Sequence, residues 1–141
     1  MSSVNYCPES HAAWLKEPTP ATFERLVASM HTCQTPDQDF LVTFAAGPEA
    51  ALICRFRGKM GSNAALELEA CRLVEVLKEV GASVVFDLKE VSFISSAFLR
   101  ICLVTAKLKG EGKFHLVNPS SECHKVLNIA GLDKWVARGG A

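Results

Sequence analysis

The chain has 141 residues, 49% of them hydrophobic, and its 15 basic and 15 acidic side chains leave a formal net charge of zero. That length and apolar content suit one main domain with a sizeable core. A neutral balance provides no electrostatic footprint for nucleic acid and no polybasic patch for an anionic membrane, so neither is expected as a partner.

No apolar run approaches the ~20 residues needed to cross a bilayer. The opening MSSVNYCPESHAAWLKE lacks a basic region followed by an apolar core, so no signal peptide is expected. Six cysteines (Cys7, Cys33, Cys54, Cys71, Cys102 and Cys123) show no close pairing. Cys54, Cys71, Cys102 and Cys123 fall within apolar helix or strand patterns, the usage of reduced core thiols in a cytoplasmic protein. Without CxxC or HxxxH spacing, no metal site is expected.

Residues 1–38 differ from the rest: Pro8, Pro18, Pro20 and Pro36 punctuate them, and one segment is periodic. There Phe23, Leu26, Val27 and Met30 recur at helical spacing behind Thr19-Pro20, a cap followed by proline at the first helical position. This predicts an N-terminal extension carrying a short amphipathic helix that covers a sheet edge or face.

Residues 39–141 form the second unit. FLVTFA and AALICRFR, separated by Gly47-Pro48-Glu49, predict an antiparallel hairpin. Next comes one helix, capped by Ser62 or Asn63 and stopped by Gly81, with Leu66, Ala70, Leu73, Val74, Leu77 and Val80 on its apolar face. Ser83 to Leu88 is almost wholly apolar, as expected of a strand covered on both faces, with Asp87 at its end. A second helix runs from Ser96 to about Lys109, Lys113 to Val117 gives another strand, and after Asn118-Pro119 a last helix carries Cys123, Val126, Leu127 and Ala130. Gly131 closes it, and Leu132 and Trp135 are expected to pack back on the core. Strand, helix, strand, helix, strand after a hairpin predicts an α/β fold with a mixed sheet of four or five strands.

Enzymatic chemistry finds little support. Gly58-Lys59-Met60-Gly61-Ser62 joins a strand to a helix but lacks the G-x-x-x-x-G-K-[ST] order of a phosphate-binding loop. Neither Ser95 nor Ser96 lies in G-x-S-x-G, and nothing pairs one of the four histidines with a nucleophile and an orienting carboxylate. Asp87 falls where open α/β sheets place ligand groups, but a loop hydrogen-bond acceptor accounts for it better.

The stretch Val91-Ser92-Phe93-Ile94-Ser95-Ser96 hands a strand over to a helix. Ser95 is placed to cap that helix. On a wheel of 100° per residue, Phe98, Ile101 and Leu108 gather on a core face while Ser96, Arg100, Leu103 and Lys107 share the other side. One serine caps and the other is displayed. A hydroxyl at a helix N-terminus with an arginine one turn on is a reasonable phosphate acceptor, because dipole and guanidinium both stabilise the added charge.

Residues 84–136 resemble the STAS domain of bacterial anti-sigma factor antagonists. The matching pieces are Val85-Phe86-Asp87-Leu88, Val91-Ser92-Phe93-Ile94-Ser95-Ser96-Ala97, Gly112-Lys113-Phe114-His115-Leu116-Val117 and Leu127-Asn128-Ile129-Ala130-Gly131-Leu132, and the likeness extends from about Phe40 to Val136. The resemblance implies that Ser96 is phosphorylated by a partner serine kinase that is also the anti-sigma factor, bound when Ser96 is free and released when it is modified. It implies a partner face of Asp87, Ser95, Ser96, Leu99, Arg100, Leu103 and Lys107, no cofactor in this chain, ATP and Mg²⁺ carried by the kinase, and a cognate phosphatase. The family often has Asp where this chain has Ser95, and usually Gly where it has Phe98, a side chain that requires a pocket. The alternatives are a STAS module acting without phosphorylation as scaffold, transport accessory or small-ligand sensor, and a small hydrolase using Ser96 or a cysteine.

Overall fold

A computed structural model of the chain describes residues 4–30, 40–70, 72–110 and 112–136. Alternation shapes the sheet. In β2 (Ala51–Met60) Leu52, Cys54, Phe56 and Met60 are buried while Arg55, Arg57 and Lys59 are exposed, so the strand presents one apolar face. β1 (Phe40–Ala46) pairs antiparallel with β2, and β2, β3 (Ser83–Ile94) and β4 (Phe114–Val117) follow in parallel, giving a four-stranded mixed sheet in chain order.

β3 departs from expectation in two respects. It buries Val84, Phe86 and Leu88 but leaves Ser83, Val85 and Asp87 half-exposed, so it is closed on one face rather than both. It also runs on to Ile94, which puts Asp87 within the strand rather than at its end. The extension is obscured in sequence because its pairing with β2 slips twice, between Arg55 and Arg57 and again between Gly58 and Lys59. Such irregularities break the period-two pattern; Gly58, at φ 101°, adopts the left-handed backbone that side chains resist.

The expected helix after β2 is two helices, α3 (Ser62–Ala70) and α4 (Leu73–Val80), separated by Arg72 in the left-handed region at φ 61°, ψ 34°. Their buried residues explain the break. α3 buries Ala64, Ala65 and Leu68, whereas α4 buries Leu73, Val76, Leu77 and Val80. On one continuous helix of 3.6 residues per turn these two sets would lie about a third of a turn apart, so one of them would face water. Projecting the α4 face backwards selects Leu66 and Ala70, and both are exposed, Leu66 at 64%. α3 also begins at Ser62 itself, directly after Gly61, so Ser62 is not its cap.

The N-terminal extension holds two helices, α1 (Pro8–Lys16) and α2 (Pro20–Ala28). α2 starts as expected, Thr19 and Thr22 capping each other reciprocally, and it lies against β1, the edge strand. α1 leaves no periodic signal in the sequence because it buries one large side chain, Trp14, and its N-cap, Cys7, makes no side-chain cap bond. Trp14 packs on Phe23 at 5.3 Å, and Tyr6 donates to Glu79 of α4 at 2.9 Å. Val4, Trp14, Phe23, Leu26, Val27 and Met30 join the same core cluster as the sheet.

α5 (Ser96–Lys109) crosses from β3 to β4, and α6 (Ser121–Ile129) follows β4, capped by Ser120 and ended at Gly131, φ 81°. Leu132 is buried and Trp135 is packed against the core, as expected; Cys123 and Leu127 are buried, whereas Ala130 is exposed. At the centre, Phe56 of β2 meets Phe86 of β3 at 4.8 Å and Phe98 of α5 at 5.2 Å, and Phe86 meets Phe114 of β4 at 5.0 Å, all edge to face. Phe98 is fully buried, so the pocket it requires exists and is walled by Phe56. Phe98→Ala should therefore cost about 3–5 kcal/mol, a large part of the ~5–15 kcal/mol stability of a domain, read as a lowered urea midpoint.

Four cysteines fall among the described side chains, all as free thiols: Cys54, Cys102 and Cys123 are buried and Cys7 is half-buried. Cys33 and Cys71 lie outside the described side chains. Burial pushes the thiols of Cys54 and Cys102 far above the ordinary range, whereas hydrogen bonds from the Ser10 side chain and backbone hold that of Cys7 below it. Mass-spectrometric mapping of alkylation in the native protein should find Cys7 modified rapidly and Cys54, Cys102 and Cys123 only on unfolding. The same raised thiols keep their protons when folded, so their contribution to stability is intact below the unfolded thiol pKa of roughly 8.5 and is lost as pH rises above it, when only the unfolded chain ionises.

Candidate functional site

The site is the start of α5, and Ser95 fixes it. Ser95 occupies the N-cap with extended backbone, φ −87° and ψ 165°, and its Oγ accepts the N–H of Phe98 at 3.2 Å. Its own N–H donates to the Met60 carbonyl at the end of β2, 2.9 Å away, and its carbonyl accepts from Leu99 at 3.0 Å. The cap is thus tied to the sheet as well as to the helix, the role the sequence assigns to Ser95.

Ser96 is the first residue within α5 and is exposed. Its position on the helix explains this. Thr105, nine residues on and so about two and a half turns away, is completely buried, its hydroxyl donating to the Ile101 carbonyl at 2.8 Å. Ser96 stands opposite the centre of the buried face. Among the described residues its hydroxyl has no hydrogen-bond partner, which leaves it available to solvent and to a docking surface.

Ser96, Arg100, Leu103 and Lys107 form one stripe on the outer side of α5, all exposed, Leu103 at 36%. Val104 and Leu108 extend it at 44% and 37% exposure. Leu108 is a correction to the wheel: the buried face of Phe98, Ile101, Cys102, Thr105 and Ala106 centres on Thr105, which puts Leu108 at its margin near the helix end. Leu99 packs against the core and shows only part of its side chain. Among the described residues neither Arg100 nor Lys107 enters an ion pair.

Asp87 is engaged elsewhere. Its Oδ1 accepts from the Lys89 backbone N–H at 3.0 Å and from the Asn118 side-chain amide at 3.3 Å, and its Oδ2 lies 3.8 Å from Nε of Arg55. These contacts tie β3 to β2 and to the turn after β4, the acceptor role rather than an open ligand group.

One feature beside the stripe escaped the sequence. Phe93 is 47% exposed, and the Lys59 ammonium stands 6.0 Å from its ring centroid, both residues being paired across β2 and β3 just before the cap. Val91 and Ile94 are buried with both Ser92 and Phe93 exposed between them, where the second slip in register skips Ser92. An exposed aromatic ring with a cation over it, three residues before the exposed Ser96, is a composition found at protein docking surfaces. Chemically, the site can accept a phosphate on Ser96 with the positive end of the helix and, one turn on, Arg100 to balance it.

Comparison with known proteins identifies the family and the fold. Residues 45–139 match the STAS domain family. Among solved structures, an anti-sigma factor antagonist from Mycobacterium paratuberculosis aligns with TM-score 0.61 at 21% identity, covering 73% of this chain and 86% of that one. The anti-sigma factor antagonist SpoIIAA in its unphosphorylated form gives 0.56 at 16% identity over 68% and 85% of the two chains. The phosphorylated form of SpoIIAA, the Bacillus cell fate determinant, gives 0.53 at 19% identity over 68% and 88%. None of the curated proteins is similar enough to match. At these identities the structural likeness is one of fold, the same mixed sheet with helices on it. The family match spans most of the chain, and on that ground the protein belongs to the STAS domain family.

Proposed function

We propose that the protein is a phosphorylation-controlled binding switch of the anti-sigma factor antagonist kind, docking through the Ser96 face of α5 on a serine kinase that is itself an anti-sigma factor or a related regulator. One observation carries the reading: a free, exposed hydroxyl at the first turn of a firmly capped helix, in line with the unpaired Arg100 and Lys107. The partner face would span Ser95, Ser96, Leu99, Arg100, Leu103 and Lys107, with Phe93 at its rim. Asp87 enters this reading only as a support for the strand beneath.

Electrostatics gives the direction of the switch. With Ser96 free, the stripe offers two cations to a partner's carboxylates. A phosphate adds about −2 charge, draws Arg100 back at i,i+4 and presents a dianion that the partner would have to desolvate. Docking and modification then exclude each other. In this reading the chain contributes no catalytic group; ATP and Mg²⁺ come with the kinase, a phosphatase resets the serine, and the exchange takes place in the cytoplasm. The resemblance to structures of SpoIIAA in both phosphorylation states supports the scheme.

Titration calorimetry against a candidate kinase of this class tests it. Ser96→Ala should bind like the unmodified protein and accept no phosphate, whereas phosphoserine at 96 should weaken binding by on the order of a hundredfold. Ser95→Ala should mainly destabilise the fold, by about 1 kcal/mol for the lost cap. Equal affinity of Ser96→Ala and the phosphorylated protein would end the proposal, and phosphate mapped to Ser95 would reverse the roles of the two serines.

A further inference from the structure

Beside the start of α2 the chain encloses a cleft of about 580 Å³, within the range of small-molecule sites. Trp14 and Phe23 form its floor, both buried, their ring centroids 5.3 Å apart. Pro20 and Pro48 wall it with rigid apolar rings, and Glu24 and Glu49 stand exposed at its rim. Two unbroken stretches, within residues 14–24 and 46–50, supply the lining. The undescribed residues 31–39 join the opposite ends of α2 and β1, beyond Met30 and Phe40.

Charge distinguishes this cleft in a chain that is neutral as a whole. Among the described residues no cation lines it, and neither Glu24 nor Glu49 enters an ion pair. Glu49 rises from a fixed support: the Gly47 N–H donates to the Ala51 carbonyl at 2.8 Å, and a Cβ on Gly47 would come within 2.8 Å of Ile53 Cδ1, so the turn sits close on β2. An anion finds no donor in the neighbouring helix start. Thr19 already accepts the Thr22 N–H, and Pro20 has none to give. The cavity of about 340 Å³ between α1 and α4 differs, because its carboxylate, Glu79, is already bound to Tyr6 and Arg72.

The aromatic floor supplies the second element of recognition. Indole and phenyl rings offer apolar area to a ring and an electron-rich face to a cation. A small inorganic cation would use the carboxylates and leave the floor uncovered; a neutral ring would cover the floor and leave the carboxylates without a partner. A ligand that carries both features satisfies both.

We propose that this cleft is a binding site for a small organic cation bearing an apolar ring, its ammonium held by Glu24 and Glu49 at the rim and its ring against Trp14 and Phe23. The assignment does not depend on the reading of Ser96.

Phenethylammonium is the probe, with ethylammonium as the charge without the ring and 2-phenylethanol as the ring without the charge. The chain has two tryptophans, so the two indole N–H signals in a nitrogen-15 NMR spectrum, assigned with Trp135→Phe, report separately on Trp14 and on Trp135. Phenethylammonium should shift the Trp14 signal saturably, with a dissociation constant below roughly 1 mM, and leave Trp135 unmoved. Ethylammonium and 2-phenylethanol should each bind at least about tenfold more weakly, and Glu24→Gln with Glu49→Gln should weaken phenethylammonium about tenfold, both side chains being exposed and the replacements equal in shape. Ala46, exposed at the end of β1, lines the cleft from the sheet, so Ala46→Leu should fill it and weaken binding at least about tenfold with both carboxylates in place. No saturation by about 10 mM, unchanged affinity in either variant, ethylammonium or 2-phenylethanol binding as well as phenethylammonium, or a shift of Trp135 instead would each overturn the proposal.

Discussion

Four phenylalanine rings in edge contact, Phe114 to Phe86 to Phe56 to Phe98, run from β4 across β3 and β2 and up into α5. Each such pair is worth ~0.5–1.5 kcal/mol beyond the area it buries. The last of the four matters most for the site. Phe98 carries the cap bond on its backbone N–H and the sheet contact on its ring, so a single residue joins the start of α5 both to Ser95 and to the core. Where the family usually has glycine, this chain gains an anchor. The outward direction of Ser96 follows from that anchor, because Phe98 and the buried Thr105 turn the opposite side of the helix to solvent.

Parts of this arrangement are legible in sequence because one local rule governs them. The divided roles of Ser95 and Ser96 follow from cap preference and helical spacing, and the hairpin, the crossover order and the Thr19-Pro20 start follow from turn chemistry and alternation. The STAS resemblance rests on the residues around the same serines. The remainder depends on tertiary context. Leu66 reads as core only when α3 and α4 are taken as one helix, and the left-handed Arg72 that separates them leaves no trace in composition, although its side chain settles onto Glu75 at 2.8 Å and Glu79 at 3.5 Å. α1 is invisible because a single buried tryptophan makes no period. The exposure of both Ser92 and Phe93 depends on a slipped register, which cannot be seen in one strand alone.

The charge distribution adds a second level of organisation to a chain with no net charge. The paired charges lie away from the stripe: Arg72 with Glu75 and Glu79 on α4, Arg55 with Asp87 on the half-exposed face of the sheet, and His124 with Asp133 beside α6. Among the described residues the cations of α5 have no such partners. Exposed pairs contribute little to stability, so their placement costs the fold almost nothing and shapes the surface instead.

The backbone of Ser95 is bonded to Met60 on one side and to Leu99 on the other, and its side chain to Phe98. Such a mount resembles a fixed post more than a hinge. A group added to Ser96 would sit on a cap already held by three hydrogen bonds, so its first effect would be on the surface potential rather than on the shape beneath. Information stored there would be written and erased at the pace of the modifying enzymes, with no slow relaxation of the fold to blur it, and it would be read only by a molecule that touches the surface itself.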